Sequence, residues 1–110
     1  MTLGVEVYNA MAKDWVQLPE LKPGDRPGSV SQNKPDGERE VYLFECAPDN
    51  SHSTIYRSTF GADTEIAETR VITTAGLEIV KELKRGEEPY VLTLKTDISD
   101  ARRIIRFTHK

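Results

Sequence analysis

The stretch Arg39-Glu-Val-Tyr-Leu-Phe-Glu-Cys46 constrains the fold more than any other. Its middle, Val-Tyr-Leu-Phe, is apolar on both faces. Such a run suits a central strand with neighbours on either side, rather than an edge. After it, Ala47-Pro-Asp-Asn-Ser-His-Ser reads as a loop, and Thr54-Ile-Tyr-Arg-Ser-Thr-Phe60 returns with β-formers. Together these predict an antiparallel hairpin.

Other runs repeat the signal. Leu3–Tyr8 and Trp15–Leu18 are short strand candidates, Glu65–Thr73 another, and Tyr90–Lys95 is a strong one that follows helix-breaking Pro89. Thr74–Arg85 changes period: Leu77, Val80 and Leu83 recur every three residues, with Ile79 four before Leu83. That spacing predicts a helical stripe, capped by Thr73 or Thr74 and closed by Gly86. A strand over 77–83 is the competing reading. Ala101–His109 reads equally as a short helix or as a half-buried strand. Residues 19–38 break the pattern, with four of the six prolines and three of the seven glycines between Pro19 and Gly37. They predict a long exposed loop.

The expected fold is therefore α+β: a mainly antiparallel sheet or small open barrel of five to six strands, with one short helix near 74–85. An all-β barrel or sandwich is the alternative. The length of 110 residues suits a single domain, 1–110, that folds without disulfide or metal staples.

One cysteine, Cys46, allows no internal disulfide, which points to a reducing compartment. No apolar run reaches the roughly 20 residues that span a bilayer, and the first residues lack a signal peptide's pattern. A cytoplasmic location is the expectation.

Candidate chemistry is sparse. Cys46 and His52 could form a nucleophile–base pair across the hairpin loop, although a lone strand cysteine is more often a small buried hydrophobe. With one Cys and two His, a metal centre is not expected. No glycine-rich phosphate loop occurs. Glu87-Glu88 reads as a solvated turn. No cofactor and no catalytic residues are assigned.

Charge is unevenly placed. Residues 98–110 hold Arg102, Arg103, Arg106 and Lys110 against one acid, Asp100; that is +3, against −6 for the rest and −3 for the whole chain. With Phe107 and His109 among them, these residues could track phosphates and stack a base. They could equally meet a protein partner, or keep an edge strand soluble. Trp15 is the remaining anchor candidate, since tryptophan is enriched at interface hot spots. The partner-binding candidates are Trp15, Arg102, Arg103, Arg106, Phe107 and Lys110. The expected function is a non-catalytic protein-binding or assembly module, by self-association or with another protein. Single-stranded nucleic-acid binding and a Cys46/His52 enzyme are the alternatives.

Overall fold

The computed structural model describes residues 2–33, 37–60, 77–95 and 102–110. Among them are eight strands and no helix: β1 (Leu3–Asn9), β2 (Asp14–Gln17), β3 (Gly28–Asn33), β4 (Arg39–Cys46), β5 (His52–Phe60), β6 (Glu78–Lys84), β7 (Tyr90–Lys95) and β8 (Arg102–His109). They form two four-stranded antiparallel sheets. One has the order β2-β1-β8-β7 and is called the first sheet; the second, β3-β4-β5-β6, is a meander. The sheets stack face to face, and neither closes into a barrel.

The α+β expectation is thus corrected to the all-β sandwich. The helix near 74–85 is the error, since residues 78–84 are strand β6, paired with β5. The cause is a β-bulge. The register shifts between Ile55 and Tyr56, so one extra residue enters β6. A bulge breaks the two-residue alternation of a strand. Val80 and Leu83, three apart, consequently both pack into the core. In sequence that spacing mimics one face of a helix. Gly86, read as a helix cap, has φ +84° in the turn where Glu87 N–H donates to Lys84 O at 3.2 Å. The left-handed backbone was anticipated correctly, in the wrong element.

The long loop at 19–38 also needs correction. Gly28–Asn33 within it is β3, matched residue for residue with Arg39–Phe44 of β4. Gly28 lies opposite Phe44, whose ring passes 2.3 Å from where a Cβ would stand, so only glycine fits there. Leu21 exchanges two backbone hydrogen bonds with Leu3, at 2.9 and 3.1 Å, and straps the chain along β1. The expected strand at 65–73 lies outside the described residues, as do most of the Lys34-Pro-Asp-Gly turn and Ser99–Asp100.

The inner faces make one core. Leu3, Val5, Leu92, Leu94, Ile105 and Phe107 come from the first sheet; Tyr42, Phe44, Cys46, Ile55 and Leu83 come from the second. Phe44 and Phe107 meet edge to face across the layers, with centroids 5.0 Å apart. Strand β4 is central, and buried on both faces. Val41 and Leu43 point away from the core cluster, yet are 7% and 5% exposed. No helix among the described residues is long and apolar enough to cross a membrane.

Candidate partner-binding face

The outer face of the first sheet gathers part of the predicted set. Strand alternation puts Glu6 and Tyr8 of β1, Trp15 and Gln17 of β2, Ile104 and Arg106 of β8, and Val91 and Thr93 of β7 on this side. Register sets Tyr8 opposite Trp15, and Glu6 opposite both Gln17 and Arg106. Local sequence fixes the β1–β2 turn. The Asn9 side chain accepts from the backbone N–H groups of Met11 and Ala12 at 3.0 and 3.2 Å, and Lys13 takes φ +53°. This closure holds the Trp15 ring against Tyr8, edge on, at 5.4 Å.

Arg106 completes the cluster. Its guanidinium lies 4.2 Å from the Trp15 ring centroid, a cation–π arrangement. It also donates to both carboxylate oxygens of Glu6, at 2.9 and 3.3 Å. The fork of donors suits a carboxylate, and the planar cation suits the ring, so arginine serves both where lysine would not. Around this clamp the sheet is uncovered: Val91 is 50% exposed, and Gln17 and Thr93 are exposed too.

The other candidates disperse. Phe107 is fully buried in the core. Arg103 donates to the Ser31 carbonyl of the second sheet at 2.7 Å. Lys110 bonds Glu20 at 2.5 Å, and that bond, joined by one from Thr2, holds the Glu20 carboxyl below its usual range. Arg102 opens β8 opposite Lys95. β8 itself is an interior strand, between β1 and β7, so its charges are not those of a guarded edge. Trp15 and Arg106 are the pair that the fold brings together. Sequence reasoning missed Glu6 and Tyr8. Their signal was the symmetry of Tyr8 and Trp15 about Ala10–Lys13, which a hairpin reading of that stretch would have exposed.

Cys46 and His52 are not brought together. Cys46 pairs with Ser53, so His52, one residue away, projects to the opposite face. Burial pushes the Cys46 thiol up. Its S–H donates to Asn50 Oδ1 at 3.2 Å. The histidine near it is His109. A carbonyl only accepts, so His109 Nε2–H donates to Asn50 O at 2.9 Å, and in the neutral ring Nδ1 accepts from Ser53 Oγ at 2.7 Å. Ser53 and His109 have the separation of a nucleophile and its base. They are, however, 0% and 3% exposed, so no substrate reaches the hydroxyl. Arg85 donates to the same Asn50 carbonyl at 3.1 Å. The cluster thus ties β8 and the β6–β7 turn to the β4–β5 loop.

On the outer face of the second sheet, a cleft of about 470 Å³ is lined by Glu45, Pro48, Asp49, His52 and Tyr56, among others. Tyr56 O–H donates to Glu45 at 2.8 Å, and the Ser51 hydroxyl and amide hold the Asp49 carboxyl below its usual range. The described residues contain no group of three or more His, Cys, Asp or Glu positioned to hold a metal ion.

Comparison with models of known protein families, with curated proteins and with solved structures finds no match for this chain.

Proposed function

We propose that this chain is a non-catalytic protein-binding or assembly module whose contact surface is the outer face of the first sheet. The observation that carries the reading is the Trp15 ring, held by Tyr8 and Arg106 on a face that stays open to solvent. Tryptophan, tyrosine and arginine are enriched among the few residues that dominate binding at protein interfaces. Here all three are fixed before a partner arrives, so docking would order little further. The rim carries Glu6 and Gln17, which can satisfy polar groups of the partner.

The alternatives draw less support. A base cannot stack on Phe107, which is fully buried, and Arg106 and Lys110 are already paired with acids. Cys46 and His52 lie on opposite faces of their hairpin.

The test is native mass measurement of the chain, alone and in extract of its own cells, beside Trp15→Ala and a control, Ile79→Ala, on the other sheet. The expected result is a complex with wild type and with the control that is lost with Trp15→Ala. A chain that runs only as a 12.4 kDa species under every condition overturns the reading.

A further inference from the structure

Edge strands present unpaired main-chain donors and acceptors, and folded chains guard them with charge, brevity, bulges or covering groups. The edges here are β2 and β7 of the first sheet and β3 and β6 of the second. Three are guarded. β2 has only four residues. β6 carries Glu78, Lys81, Glu82 and Lys84 in seven residues, and the bulge besides. β3 has its Ser31 carbonyl occupied by Arg103, and its Ser31 hydroxyl by Arg39.

β7 is different. Tyr90-Val-Leu-Thr-Leu94 contains no charge and no proline, the one charge of β7 being its last residue, Lys95, and the strand pairs with β8 in unbroken register. Among the described residues, no group bonds to its outward edge. Val91 and Thr93 face solvent beside that edge, while Leu92 and Leu94 face the core.

We infer that β7 pairs antiparallel with β7 of a second copy about a two-fold axis, joining two four-stranded sheets into one of eight. This goes beyond the reading above: the pairing uses the β7 edge and leaves the Trp15–Arg106 face free for a further partner. The strand's own chemistry selects a copy of itself. A two-fold contact sets the same patch against itself, so any charge on it would risk meeting its like; β7 presents none between 90 and 94. With the axis at Leu92, Val91 stands opposite the second copy's Thr93 on the outer face. Leu92 meets Leu92 on the inner face, and Tyr90 meets Leu94. Each is an apolar or β-branched cross-strand pair, the kind that stabilises antiparallel sheets. The outer faces then run on as one surface, with the two Trp15–Arg106 clamps at a distance from the axis.

Sedimentation tests this on wild type, on Val91→Lys with Thr93→Lys, and on Trp15→Ser. Both lysines replace solvent-facing side chains, so the β7–β8 ladder is kept, and far-UV circular dichroism checks that it is. Wild type is expected at twice 12.4 kDa, and the double-lysine chain at half the wild-type mass. A wild type that stays monomeric as concentration rises overturns the inference, as does a double-lysine chain that stays dimeric. Dissociation by Trp15→Ser but not by the lysines moves the contact to the open face; it overturns the edge pairing and leaves the assembly reading standing. If the lysine variant does not fold, amide exchange on wild type decides. The β7 amides not bonded to β8 should lose protection together on dilution, and protection that does not change overturns the pairing.

Discussion

Strands β4 and β8 hold the same place in their sheets, yet their sequences differ in kind. Each is interior, and each crosses the core, where Phe44 of one meets Phe107 of the other. β4 is buried on both faces from Glu40 to Phe44. β8 alternates: Ile105, Phe107 and His109 are buried, while Arg106 between them reaches the open face. The difference lies in burial: both faces of β4 are withdrawn from water, whereas the outer face of β8 is not. Where both faces of a strand are covered, both must be apolar or satisfied. Where one face meets water, charge is tolerated every second residue, even in mid-sheet.

The comparison is tested hardest by truncating β8 on its inward face and β4 on its outward face. Phe107→Ala removes a fully buried ring that contacts Phe44 and Tyr90. It should cost about 3–5 kcal/mol in chemical denaturation. Leu43→Ala, on the outward face of β4, should cost about 2–5 kcal/mol, since that face is buried as well. A Leu43→Ala cost below about 1 kcal/mol, the level of a surface change, would erase the contrast between the strands.

The same contrast explains what the sequence disclosed. β4, β5 and β7 were legible because their runs are long, β-branched and bounded by turn residues. β6 was not, because the bulge beside Tyr56 gives its inward residues a three-residue spacing. β3 was not, because Gly28-Ser-Val-Ser-Gln-Asn is polar and glycine-led. Its place follows from Phe44 needing a neighbour without a side chain. The basic tail looked like a patch when counted as charges. Read two by two it is one strand, with Phe107 and His109 inward and Arg106 outward. The pairing of Arg106 with Glu6 joins residues 100 apart, and no local pattern reports that.

Polar groups within the core fall next in size. His109 of β8 is tied to Ser53 and Asn50 of the second sheet. Ser53→Ala leaves Nδ1 of a buried ring without its donor, and should cost about 1–3 kcal/mol by the same denaturation series. No measurable cost would mean that water, rather than Ser53, serves that nitrogen.

β4 has its own inward polar group. Tyr42 O–H donates to the buried carboxylate of Glu40, which also accepts from Gln32 at 2.9 Å. Burial first, and then that carboxylate, push the phenol up to about 12 from about 10. The folded chain therefore holds the proton more tightly than the unfolded chain. Its contribution is whole below pH 10 and drains as pH rises from 10 to 12. Tyr42→Phe should make the alkaline fall in stability shallower across that window. Curves of equal slope for the two chains would show that the phenol is not what the alkaline limb reports.

Arg106 should give the smallest effect, and the sharpest test of the open face. Its ion pair and ring contact are about one-third exposed, so water and salt screen them. Arg106→Ala should cost about 1 kcal/mol or less, a fraction of the cost at Phe107 one residue along. Arg106→Lys keeps the charge but loses the fork and the plane, and should fall with alanine rather than with wild type. Trp15 emission reports the local change, since its ring loses the planar guanidinium above it in both variants. A destabilisation by Arg106→Ala as large as that of Phe107→Ala would mean that this side of β8 is no open face at all, but is covered as β4 is.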